Sequence, residues 1–284
     1  MFWLRIAATP ILGFAGLVSA AQDGKLSPEQ SRFLEALRDS ALQYTQDLPN
    51  FICTQTTHRT VTDQSSSSAG ITGVSTGGSG ILGLPNGLSS TGEDSIEEQL
   101  SFFDGSEHYD VVAVNGRKVT GAKHLQFDGV VSVGEFGSAL ENIFDPRSHT
   151  VFTWDRDSSI GGHSVHVLKF RVPKESGNLV IYDRGNQQTI AAYNGRVYVD
   201  ATSMRVVRIV SELELPIGFP IKLDRTTVDY RPVEIAGKSF NLPYKSEVRL
   251  QDATRLYVNE IEFRRYHKFA AESTLHFDSD SQAK

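Results

Sequence analysis

Several short stretches of this chain match the patterns of reactive sites. Gly73-Val74-Ser75-Thr76-Gly77 satisfies G-x-S-x-G, in which a strained elbow between strand and helix exposes a nucleophilic serine. Ser75 has no strand before it and no helix after it, so no catalysis is assigned to it. Gly78-Ser79-Gly80-Ile81-Leu82-Gly83 satisfies G-x-G-x-x-G, which cradles a pyrophosphate only where a helix follows. Leu84-Pro85-Asn86-Gly87 follows instead, and it cannot open a long helix. His163 and His166 form the closest histidine pair. Positions i and i+3 share a face on a helix but oppose each other on a strand, and this segment reads as strand. Clustering of histidines with acids such as Asp128 or Glu135 is left to tertiary structure. Cys53 follows Phe51-Ile52 at a strand start, where a small buried structural thiol is the ordinary outcome. The expectation is a protein that is not an enzyme, with no catalytic residues, no metal and no cofactor.

Composition narrows the classes. The 284 residues carry 28 Lys+Arg against 34 Asp+Glu, a net charge of −6, whereas nucleic-acid binders show a basic stripe or excess. One cysteine excludes a disulfide framework or a multi-cysteine zinc site. At 39% apolar residues the chain can bury a core.

The elements that would position a site follow in order. Residues 1–20 have one early positive charge, an apolar run over 6–17 and small residues at Val18-Ser19-Ala20, the pattern of a secretory signal peptide cleaved after Ala20. The run is shorter than the roughly 20 residues of a membrane span. The expected location is therefore periplasmic or secreted, with no transmembrane span after cleavage. An N-terminal helix is expected within 22–48: Ser27 caps it, Pro28 starts it and Gln30 completes a capping box. Its apolar stripe is Phe33, Leu34, Leu37, Ala41, Tyr44 and Leu48. A strand begins at Phe51. The stretch 64–92, with eight Ser, eight Gly and no charge, reads as a flexible loop. Strand and turn dominate from Ile96 onward, interrupted by a short helix near 136–144. Asn115-Gly116 and Asn194-Gly195 read as hairpin turns, and Gly161-Gly162 and Ala236-Gly237 as further turns. A bulge is expected where apolar alternation changes phase between Val258 and Ile261. The resulting class is α+β, mainly β: a curved antiparallel sheet forming an incomplete barrel, packed around the first helix and the short helical insert. One domain is expected over 21–284.

The stretch Gly195-Arg196-Val197-Tyr198-Val199-Asp200, continuing through Thr202 and Ser203 to Arg208-Ile209, resembles the "G-x-V-x-V-D-x-x-T" hairpin of bacterial envelope proteins of the LolA/LolB lipoprotein-carrier type and the related RseB sensors. The pieces Asp229-Tyr230-Arg231-Pro232-Val233-Glu234-Ile235 and Phe240-Asn241-Leu242-Pro243 look like the continuation seen in secreted bacterial relatives. The resemblance implies an incomplete antiparallel barrel around helices with an apolar cavity between them. Two readings of function follow. One is a non-enzymatic envelope protein binding a lipid, an acyl chain or a lipoprotein anchor, with Val207, Ile209, Leu213 and Leu215 as candidate lining. The other is a sensor module that binds a peptide or partner protein at a sheet edge or groove.

Overall fold

The structure is a computed structural model that describes residues 26–63, 92–103, 105–121, 136, 138–176, 180–182 and 188–269. The expected leader, the 64–92 loop up to residue 91 and the acids Asp128 and Glu135 lie outside the described residues.

Helix α1 spans Pro28–Asp47. Ser27 Oγ accepts from Gln30 N at 3.1 Å, and Gln30 Oε1 accepts from Ser27 N at 2.9 Å, so the capping box satisfies two otherwise orphaned donors. Leu48 ends the helix in extended backbone before Pro49. Leu37 and Ala41 are buried, and Phe33, Leu34 and Tyr44 pack beside them.

The strands follow as β1 Phe51–Asp63, β2 Gly92–Phe103, β3 Ser106–Val114 and β4 Arg117–Lys118; then come helix α2 Ser138–Phe144 and strands β5 Val151–Ile160 and β6 His163–Val172. After these come β7 Val180–Tyr182, β8 Gln188–Ile190, β9 Ala192–Asp200, β10 Val206–Glu214, β11 Leu223–Ile235, β12 Lys238–Gln251 and β13 Arg255–Lys268. Eleven of them form one antiparallel sheet in the order β4-β3-β2-β1-β13-β12-β11-β10-β9-β6-β5, while β7 and β8 make a separate ribbon. The sheet does not close into a barrel: β4 and β5 stand at its two ends. Mostly sequential hairpins build it, and β13 returns to pair with β1.

Both helices lie on one face of the sheet. Leu37 and Ala41 of α1 and Leu140, Ile143 and Phe144 of α2 pack on Leu168, Phe170, Val197, Ile209 and Val228. A second cluster joins Phe51, Cys53, Leu100, Phe102, Ile261 and Phe263 beneath Phe136. The opposite face carries cross-strand ion pairs, among them Arg171–Glu214, Arg208–Asp229 and Arg225–Glu212, as suits a water-facing surface.

Three expectations need correction. Asn115 and Gly116 do turn with φ of 50° and 72°, but Asn194 and Gly195 lie inside β9, paired with Glu212 and Ser211. The bulge of β13 sits near Arg265, whose φ is 58°, opposite the register shift between Ile52 and Thr54. Between Val258 and Ile261 the strand keeps its phase: Tyr257, Asn259, Ile261 and Phe263 all face inward. Finally, the register of β10 against β9 shifts between Val206 and Arg208, so Val206 rather than Val207 is buried beside Ile209.

Candidate functional site

Beneath α1, where it crosses the start of β10 and the first residues of β12, lies a cavity of about 310 Å³. Leu37, Ala41, Leu140, Val206 and Phe240 give it apolar walls, and Ser40, Asp47, Arg205 and Asn241 add polar groups. The helical spacing of Leu37, Ala41 and Tyr44 turns that stripe toward the space.

The other wall is fixed by the turn between β9 and β10. Asp200 Oδ1 accepts from Ser203 N at 2.7 Å, Ser203 Oγ at 2.9 Å and Thr202 N at 3.1 Å. The Ser203 amide and hydroxyl hold the Asp200 carboxyl below the usual carboxylate range. Asp200 N donates to Arg205 O at 2.9 Å, and Met204 N donates to Asp200 O at 3.0 Å. Met204 takes a left-handed φ of 56° inside that loop. This brings Met204, Arg205 and Val206 to the rim. Asn241 Nδ2 donates to Val206 O at 2.8 Å, tying β12 to the first residue of β10.

Tyr44 belongs to the rim and touches both core clusters. Its hydroxyl is buried and has no hydrogen-bond partner among the described residues. Burial pushes its ionisation upward.

Of the lining residues expected from sequence, Ile209 lies in the core against the helices and Leu213 packs upon it. Val207 is half-buried at the register shift, and Leu215 is half-buried just past β10. The cavity walls are formed by their neighbours Met204, Arg205 and Val206 together with Phe240 and Asn241. The signal for these was present, since they flank the Asp200 turn and open the Phe240-Asn241-Leu242-Pro243 piece. What sequence could not supply was the fold that joins the two.

The reactive-looking residues are placed as follows. Cys53 is 1% exposed in the second cluster, and burial pushes its thiol up. His166 Nδ1 lies 2.8 Å from Asp157 Oδ1, and its ring meets Phe33 and Trp154. Among the described residues no group of three or more His, Cys, Asp or Glu is placed to hold a metal ion. No helix there is long and apolar enough to cross a membrane.

The fold is thus an open antiparallel sheet cradling two helices, with a small cavity beneath the first. No family model matches the sequence, and no curated protein does. Two solved structures are similar. A DUF1329 family protein from Desulfovibrio piger is 10% identical, with a TM-score of 0.38, over 84% of this chain and 95% of that one. A putative outer membrane lipoprotein-sorting protein domain from Vibrio parahaemolyticus is 10% identical, with a TM-score of 0.37, over 88% of this chain and 92% of that one. At this distance function has to be argued from the site's own residues.

Proposed function

We propose that this chain is a non-catalytic binding protein of the bacterial envelope, exported by the leader at 1–20, and that the cavity under α1 holds one alkyl chain. The cavity carries this reading: its apolar walls and polar rim are the makings of a small-molecule site, which begins at roughly 300 Å³. A space of about 310 Å³ lies at the lower end of small-molecule sites, which suits a single short chain rather than a diacyl lipid. Each buried methylene contributes about 0.8 kcal/mol.

The rival reading needs an open sheet edge or a groove for a peptide. Edge strand β5 has a register shift between Trp154 and Arg156, and Asp155 there gathers Arg156, Lys169 and Arg196. Bulges and charges of this kind protect edges from pairing, so the cavity is better supported than the β5 edge.

Native mass spectrometry with dodecanoate tests the reading, with Ser40→Trp and Ala41→Leu as two ways of filling the space. One bound chain per protein is expected, weakened at least tenfold in both variants, with Ser40→Trp melting as the parent does. No bound chain, or equal binding in all three proteins, overturns the reading.

A further inference from the structure

We infer that the chain in this cavity bears an anionic head, a carboxylate or a phosphate, and that Arg205 reads it. This rests on the cavity being a binding site and adds what lies at its mouth. Arg205 is exposed and contributes to the lining. Its side chain has no hydrogen-bond or ion-pair partner among the described residues. Most arginines on the sheet are engaged: Arg171, Arg208, Arg225 and Arg249 each pair with a carboxylate. The acid of the same lining, Asp47, already accepts Gln43 Nε2 at 2.9 Å, which leaves the guanidinium as the unengaged charge at the rim among the described residues.

The backbone beneath Arg205 is held in place. Asp200 closes the turn with three hydrogen bonds from Thr202 and Ser203, and the Arg205 carbonyl is taken by Asp200 N. Asp200 is therefore a positioning residue. A guanidinium carried on that held backbone, at the mouth of a cavity with both apolar and polar walls, suits an amphiphile whose chain enters beneath α1 while its head stays at the surface. Arg binds carboxylate or phosphate through paired, charge-assisted hydrogen bonds.

The test compares dodecanoate, dodecyl phosphate, dodecanol and inorganic phosphate by isothermal titration against the parent, Arg205→Gln, Arg205→Lys and Asp200→Ala. The parent is expected to bind both anionic chains at least tenfold more tightly than dodecanol, and inorganic phosphate not measurably. The ratio of the two anionic chains distinguishes a carboxylate head from a phosphate head. Arg205→Gln should bring the anionic chains down to the affinity that dodecanol shows for the same variant. Arg205→Lys should restore part of the preference. Asp200→Ala should lower it without abolishing dodecanol binding. Equal binding of the three chains by the parent overturns the anionic head and leaves the cavity reading standing. Failure of all three chains overturns the cavity reading itself. Inorganic phosphate binding as tightly as dodecyl phosphate overturns the amphiphile and makes Arg205 a free-anion site.

Discussion

Burial lifts the Asp224 carboxyl to about 6, because removing a carboxylate from water disfavours its charged form. Asp224 opposes Leu250 across β11 and β12. The native state holds a proton that the unfolded chain has already released, so stability falls as pH rises from about 4 to about 6 and stays lower above that. The lift from 3.8 to about 6 corresponds to roughly 3 kcal/mol. Asp224→Asn should therefore be more stable than the parent at pH 7.5 by up to that amount. The gain should shrink through pH 6 and vanish near pH 4. Urea midpoints across that range check it, and a pH-independent gain would mean that the carboxyl is not desolvated. Nothing in the one-dimensional pattern of β11 separates Asp224 from the paired Asp229; only the tertiary surroundings do.

Elements with local causes were legible. The capping box, the Pro49 stop and the positive-φ pairs Asn115-Gly116, Gly161-Gly162 and Ala236-Gly237 are each decided within a few residues. Asn194-Gly195 shows where local chemistry misleads, because the same dipeptide serves a different need. A Cβ at Gly195 would stand 1.8 Å from Val210 O and 3.0 Å from Phe170 Cε1. That glycine is required by the close approach of β10 and by the Phe170 ring opposite it, not by a turn. Gly116 has a φ of 72° and nothing within 4 Å of an added Cβ. Gly195→Ala should thus cost more than about 2 kcal/mol, as overpacking against backbone does. Gly116→Ala should cost only about 1 kcal/mol through its dihedral. Chemical denaturation of the two variants checks the order, and equal losses would mean that β10 does not approach Gly195 closely.

At the scale of the whole molecule, the helix-facing side of the sheet is not uniformly apolar, and this explains what sequence patterning missed. Across β10, β11, β12, β13, β1 and β2 one register row runs Ser211, Thr226, Val248, Asn259, Arg59 and Asp94. Four residues away along β1, on the same face, Gln55 faces Glu98 and donates to its Oε2 at 3.0 Å. Arg59, Asn259, Gln55 and Glu98 are all buried, so a search for apolar alternation reads Asn259 as an outward position and places the bulge of β13 too early. Arg59 Nε donates to Asp94 Oδ1 at 2.6 Å, and the two side chains are only 6% and 14% exposed. Breaking such a pair strands a charge at a cost of about 3–5 kcal/mol, whereas an apolar pair of similar volume is often neutral or stabilising. Asp94→Leu should therefore lose roughly 3 kcal/mol in urea unfolding, and Arg59→Met combined with Asp94→Leu should recover most of it. If the single variant loses less than about 1 kcal/mol, as surface pairs do, water reaches the band in solution.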